Sequence, residues 1–204
     1  MSTVQIWTRE LPDRQATADL AHGLAPLLSA GDLLILTGDL GAGKTTFTQS
    51  LGAALGVAGP IISPTFVLAR VYPTRHHGLD LVHIDAYRLG SAAELHGLGI
   101  EDSMSTSITV VEWGRGVAES LAGNPDDRQT GWLDIELRRR PASGSPTGTD
   151  VGDGPDPASV EGLRFDFSDE EEAEGGRHAL IRAHGVRWQD AGLEAVGARG
   201  GELD

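Results

Sequence analysis

Residues 33–47 read Leu-Leu-Ile-Leu-Thr-Gly-Asp-Leu-Gly-Ala-Gly-Lys-Thr-Thr-Phe. The uninterrupted apolar run Leu33 to Leu36, bounded by Gly31-Asp32 and Gly38, suits a strand covered on both faces in a parallel sheet. Directly after it, Gly38 to Thr45 satisfies the pattern Gly-x-x-x-x-Gly-Lys-Thr at every required position. A helix from Lys44 to Leu55 is then expected, with Phe47, Leu51 and Leu55 on one stripe. The glycines let successive backbone N–H groups turn inward around a phosphate, and the helix N-terminus adds its partial positive charge. Asp39, Leu40, Gly41, Ala42 and Gly43 are therefore expected to wrap a nucleotide's phosphates, with Thr46 following. Lys44 would reach the β and γ phosphates, and the Thr45 hydroxyl could ligate Mg²⁺. Lys44 is also the only lysine, since fifteen of the sixteen basic residues are Arg. The exception falls where a compact ammonium suits a phosphate.

Working outward, strand and helix signals alternate. Val4 to Thr8 reads as a strand, and a helix from about Arg14 carries Leu20, Leu24, Leu27 and Leu28 on one face, with Pro26 kinking or shortening its last turn. Thr65 to Tyr72 and Leu79 to Asp85 read as two strands joined in an antiparallel, hairpin-like way. Ser107 to Val111 is a second buried apolar run, and Trp132 to Leu137 alternates apolar and polar. This predicts an α/β architecture, a P-loop NTPase fold with a three-layer αβα sandwich around a mixed, mostly parallel sheet.

A phosphate site also needs a carboxylate to hold Mg²⁺ or orient a water. Glu112 follows the run Ile108 to Val111, at a strand's C-terminal edge where open α/β sheets bind ligands. Asp85 ends the strand from Leu81, with His83 two residues earlier on the same face. His83 alone reads as a hydrogen-bonded structural residue, and His76-His77 lacks convergent partners for a metal. Ser63-Pro64-Thr65 lies where such proteins often place a loop that senses the γ-phosphate, although an ordinary turn fits as well.

Composition sets the boundaries. In 204 residues one domain of about 100–200 residues can bury a self-sufficient core. The absence of cysteine excludes a disulfide scaffold, a thiol enzyme and a Cys-ligated zinc site. The net charge of −14 argues against autonomous nucleic-acid binding. No apolar signal segment or membrane-length run is evident, so a cytoplasmic protein without a membrane role is expected. The charge is uneven: residues 1–140 hold 11 basic and 16 acidic residues, and residues 141–204 hold 5 and 14. Five Gly and four Pro in the 22 residues from Pro141 to Gly162, then five carboxylates between Asp169 and Glu174, predict a disordered or weakly ordered acidic insertion at 141–175. The core is then residues 1–140, and 176–204 returns to it as a strand near Arg177 to Ala183, a short helix from Val186 to Leu193 and a short tail.

Five ordered motifs carry a resemblance: GDLGAGKTTF at 38–47, SPTF at 63–66, HIDAYRL at 83–89, ELHGLGIED at 94–102 and VEWG at 111–114. Together they closely resemble the bacterial TsaE family, the small ATPase of tRNA threonylcarbamoyladenosine biosynthesis. The likeness covers about residues 5–140 and extends to 176–193. It implies ATP with Mg²⁺ and work beside TsaB and TsaD, which build the modification at the adenosine next to the anticodon (position 37) of ANN-decoding tRNAs. It further implies that ATP hydrolysis resets the complex, with tRNA met indirectly through it. Carried over, the resemblance makes Lys44 and Thr45 the phosphate-loop lysine and threonine, Asp85 the Walker B-like aspartate and Glu112 the Mg²⁺-associated glutamate. Thr65 and Arg177 would approach the nucleotide, and the segment around Arg14 would lie near the adenine. Two departures stand out: Gly114, where many relatives carry proline, and the insertion, which loosens the alignment of Arg177.

The leading expectation is a weak intrinsic ATPase that partners activate. No arginine finger is evident near the loop, although Arg88 could act in cis or a partner could supply one. A small-molecule kinase is an alternative without an evident Arg-rich lid. A nucleotide-dependent binding module with negligible hydrolysis is another. A GTPase is disfavoured because no Asn-Lys-x-Asp motif exists.

Overall fold

A computed structural model describes residues 4–75, 79–122, 131–140 and 176–203. The predicted acidic insertion at 141–175 lies outside the described residues, as does His76-His77. Among the described residues twelve α-helices and strands run in chain order: β1 (Val4–Leu11), α1 (Arg14–Leu24), β2 (Leu33–Thr37), α2 (Lys44–Ala54), β3 (Ala69–Tyr72), β4 (Asp80–Asp85), α3 (Ala92–His96), α4 (Glu101–Met104), β5 (Ser107–Glu112), β6 (Trp132–Arg139), β7 (Arg177–His184) and β8 (Ala198–Leu203).

The eight strands form one sheet in the order β3-β4-β5-β2-β6-β7-β1-β8. The four inner strands β4, β5, β2 and β6 are parallel, and the pairings outside them are antiparallel. β2 and β5 are buried at every position because both their faces are covered, and apolar side chains fill them apart from Thr37, Ser107, Thr109 and Glu112. On one face α1 and α2 bring Leu20, Leu24, Phe47 and Leu51 against Leu34, Leu36, Val110 and Ile135. Fully burying a side chain the size of Phe47 contributes about 2–3 kcal/mol. On the other face α3, α4 and the turn Ala118–Leu121 cover Leu33, Ile35, Val82 and Ile84. Beyond β2 that second face turns polar: Asp134 and Glu136 of β6 meet Arg182 of β7 and Arg115 at 2.9–3.2 Å.

Local chemistry sets the element ends. Asp13 caps α1, its carboxylate accepting from Ala16 N at 2.7 Å. Pro26 then converts the end of that helix into a 3-10 turn, Ala25–Leu27, as its ring requires. Three expectations need correction. The strand predicted from Thr65 starts only at Ala69, because Val67 N and Leu68 N both donate to Pro64 O, making a turn at 64–68. The final helix predicted over Val186–Leu193 is two 3-10 turns, separated by Gly192 at φ +75°. The predicted tail instead supplies β8, antiparallel to β1. Among the described residues no helix is long and apolar enough to cross a membrane.

Candidate nucleotide site

The phosphate loop leaves β2 at Gly38 and enters α2 at Lys44. Gly38 (φ +137°), Gly41 (φ +71°) and Gly43 (φ +99°) adopt conformations that L side chains rarely take. At Gly38 space is also decisive, since a Cβ there would lie 2.0 Å from the Leu137 carbonyl oxygen on β6. Within the loop, Ala42 N donates to Asp39 O at 3.1 Å and the Ala42 methyl is buried in the core. Asp39 and Leu40 are exposed at the loop's outer turn, and Thr46 is half-buried in the first turn of α2.

Lys44 is buried, and its ammonium donates to Gly38 O and Asp39 O, each at 2.8 Å. Its Nζ also lies 3.7 Å from the centroid of the Trp113 ring, a cation–π contact. Burial pulls the Lys44 ammonium below the usual lysine value, while Glu112, Asp39 and Asp85 oppose that shift.

Two carboxylates close the opposite side. β4 and β5 run parallel with Asp85 and Glu112 paired in register, so both emerge together at the C-terminal edge of the sheet. The Thr45 hydroxyl donates to Glu112 Oε2 at 3.0 Å, and His83 Nε2 lies 2.8 Å from Glu112 Oε1. Asp85 Oδ2 accepts from the Thr65 hydroxyl at 2.5 Å, and Oδ1 accepts from Tyr87 N at 3.0 Å. Ser63 Oγ and Thr65 Oγ1 are 2.8 Å apart. The Arg88 guanidinium donates to the Thr65 carbonyl and stacks over Phe66, so it braces this turn.

The other half of the sheet also reaches the phosphate loop. Gly176 abuts Leu11 and Pro12, which brings the segment leading into Arg14 beside the start of β7. Arg177 is buried there, and a Cβ on Gly43 would sit 3.5 Å from its Nε. Its register partner on β6, Arg139, donates from its guanidinium to Gly41 O at 3.0 Å.

Hence Lys44, Thr45, Asp85, Glu112 and Thr65 meet at one edge of the sheet, with Arg177 against the loop, while Arg14 opens α1 two residues after Pro12. Two participants escaped the sequence reading, Trp113 over Lys44 and Arg139 on Gly41, whereas His83, expected as a hydrogen-bonded structural residue, is the partner of Glu112. The period-two placement of His83 before Asp85 was the one available signal. Among the described residues no cluster of three or more His, Asp and Glu is poised to hold a metal. Thr45 and Glu112 instead offer two hard oxygen donors converging on one point, a set that fits Mg²⁺, which binds through one or two protein ligands plus phosphate oxygens.

The family model of TsaE, threonylcarbamoyl adenosine biosynthesis protein TsaE, matches residues 11–142. The chain belongs to the TsaE family. A TsaE from Streptomyces coelicolor is 55% identical over 104 residues, spanning 50% of this chain and 70% of that relative. The TsaE of Mycobacterium tuberculosis is 43% identical over 139 residues, 65% of this chain and 79% of that protein. Both are described as tRNA threonylcarbamoyladenosine biosynthesis protein TsaE. Among solved structures, the crystal structure of Bacillus subtilus YdiB superposes with a TM-score of 0.59 at 23% identity, covering 96% of this chain and 95% of that one. That likeness supports the fold.

Proposed function

We propose that this TsaE-family chain works in the cytoplasm as the Mg²⁺-dependent, ATP-hydrolysing subunit of tRNA threonylcarbamoyladenosine formation. It acts with TsaB and TsaD on ANN-decoding tRNAs, meets tRNA through that complex, and resets the complex between turnovers. The observation that carries this reading is the convergence of the buried Lys44, the Thr45–Glu112 pair and Asp85 on the end of the phosphate loop.

In this mechanism the backbone of Asp39 to Gly43 and the Lys44 ammonium hold the β and γ phosphates. Thr45 and Glu112 hold a magnesium ion, which supplies charge neutralisation at those phosphates. Asp85, kept acceptor-ready by donors on both oxygens, orients the attacking water; positioning and electrostatics do the catalytic work. Arg177 and the segment at Arg14 border the nucleotide on its far side. Arg88 is engaged with Thr65 and Phe66, so an arginine for the transition state is left to a partner, and slow intrinsic turnover follows.

The test is ATP hydrolysis by the chain alone and with TsaB, TsaD and tRNA, using Glu112→Ala as the control. Turnover should rise in the complex and fall with the substitution. An unchanged rate in a verified complex refutes the role, and full Mg²⁺-dependent activity in Glu112→Ala refutes the metal assignment.

A further inference from the structure

Trp113 holds a φ of +60°, a left-handed conformation that a bulky side chain keeps only where its surroundings impose it. Both flanks of the residue do so. Trp113 N donates to Leu36 O at 2.8 Å, and Gly114 is wedged so tightly that a Cβ there would lie 2.7 Å from Val111 Cγ1 and 2.8 Å from the Ala118 methyl. One residue on, the Arg115 guanidinium is tied to Asp134 at 2.9 Å and to Glu136 at 3.1 Å, both on β6. What this strained turn secures is the place of the indole. Its ring centroid lies 3.7 Å from Lys44 Nζ, and Tyr87 packs edge-to-face against it with centroids 5.3 Å apart.

The Lys44 ammonium has only neutral partners. Glu112, Asp39 and Asp85 all attract it electrostatically, yet none of the three comes within ion-pair distance of it. A lysine ammonium has three N–H donors. The Gly38 and Asp39 carbonyls accept from it at 2.8 Å each, and the indole face is its further partner. A buried ammonium bound to a carboxylate is hard to separate from it, because separation strands both charges. A ring face attracts a cation less strongly and leaves no anion behind.

We propose that Trp113 is a positioning residue whose indole keeps the Lys44 ammonium out of an ion pair with Glu112 and yields it to an incoming phosphate. The inference rests on the reading above, in which Lys44 takes up the β and γ phosphates. Glu112 directly precedes Trp113 in the chain, and the turn between them sends the carboxylate to the Thr45 hydroxyl and the ring to Lys44. Carboxylate and lysine are thereby kept for separate tasks, the one for Mg²⁺ and the other for phosphate. A phosphate oxygen that draws the ammonium from the ring breaks no ion pair in doing so.

The test measures the Kd of the full chain for a fluorescent ADP analogue in EDTA, which takes the metal role of Glu112 out of the comparison. Trp113→Phe keeps a ring face and should bind within about threefold of the unaltered chain. Trp113→Leu and Trp113→Gly remove the face, and each should weaken binding about tenfold as Lys44 closes on Glu112. Glycine adopts φ +60° without strain, so Trp113→Gly carries the test if Trp113→Leu does not fold. Adding Glu112→Gln to either variant should raise affinity about tenfold more than Glu112→Gln does alone. A tryptophan that merely fills space would give no such coupling. Unchanged binding in Trp113→Gly overturns the inference, as does an equal loss in Trp113→Phe, and as do additive effects of the paired substitutions. Each of these leaves the functional reading intact. Failure of the unaltered chain to bind the analogue with or without magnesium refutes the inference and the functional reading together.

Discussion

His83 is fully buried, and its Nε2 lies 2.8 Å from Glu112 Oε1, while Nδ1 has no partner among the described residues. A carboxylate acceptor requires a proton on Nε2, so the imidazole acts as the donor. The alternative donor to Oε1, the Thr48 hydroxyl, is 3.5 Å away and lies nearer the Lys44 carbonyl at 3.1 Å. His83→Leu therefore removes the one short hydrogen bond on half of a buried carboxylate. Hydrogen bonds to charged groups contribute about 1.5–3 kcal/mol. At about 1.4 kcal/mol per decade, that is roughly ten- to a hundredfold in any step requiring Glu112 in place. We expect ATP turnover, assayed against magnesium concentration with partners present, to fall at least about tenfold and to need more magnesium for half-maximal rate. Urea unfolding should show a loss of about 2 kcal/mol. His83→Gln, which keeps a donor, should recover part of both. Turnover with unaltered magnesium dependence and full stability in His83→Leu would refute the claim that this imidazole positions Glu112.

Further outcomes follow from the same geometry. Arg139→Ala deletes the guanidinium on Gly41 O and should weaken nucleotide binding by about 1–2 kcal/mol, measured calorimetrically, with Arg139→Lys intermediate. Gly38→Ala drives a methyl into the Leu137 carbonyl, so nucleotide binding should be lost and unfolding eased by at least about 2 kcal/mol. Burial lifts the Asp32 carboxyl from 3.8 to about 6, against the pull of Arg187 and Ser29 N. The folded state then holds that proton more tightly than the unfolded chain, so this contribution falls as pH rises from about 4 to 6, by about 3 kcal/mol in all. Asp32→Asn should flatten the slope in urea melts, and parallel curves for the two proteins would contradict it. Burial would raise Glu136, but Arg138, Arg115 and Arg182 hold it at about 2, below its usual 4.5. Its contribution is present above about pH 4.5 and lost toward pH 2, and Glu136→Gln should remove that acid limb.

What the sequence reveals here depends on how local each signal is. β2 and β5 are legible because strands sandwiched between two layers are largely apolar on both faces. Parallel pairing then explains why two carboxylates at strand ends, Asp85 and Glu112, arrive side by side. The phosphate loop is legible because its glycines answer a steric demand within eight residues. Arg139 and Gly41 are 98 positions apart, and only the closed sheet brings them together. Trp113 escapes because its φ of +60° turns the side chain out of the strand's alternation and over Lys44. Thr65 to Leu68 has strand composition, yet Pro64 folds it into a turn that delivers a hydroxyl to Asp85. Val186 to Leu193 has a helix-like spacing, but the bounding Gly185 and Gly192 leave too few residues to nucleate one.

The position of β1 has a kinetic corollary. Residues 4–11 leave the ribosome first among the strands, yet both of their sheet neighbours, β7 and β8, are the last to be made. Until then β1 has two open edges, and Trp7 and Leu11 lack the strands that will flank them. The half of the sheet that carries Arg177 to the phosphate loop is thus the late-forming half, with high contact order. A nascent chain can assemble β2 to β6 during synthesis, whereas β1 must wait until β7 and β8 have been made to find its place.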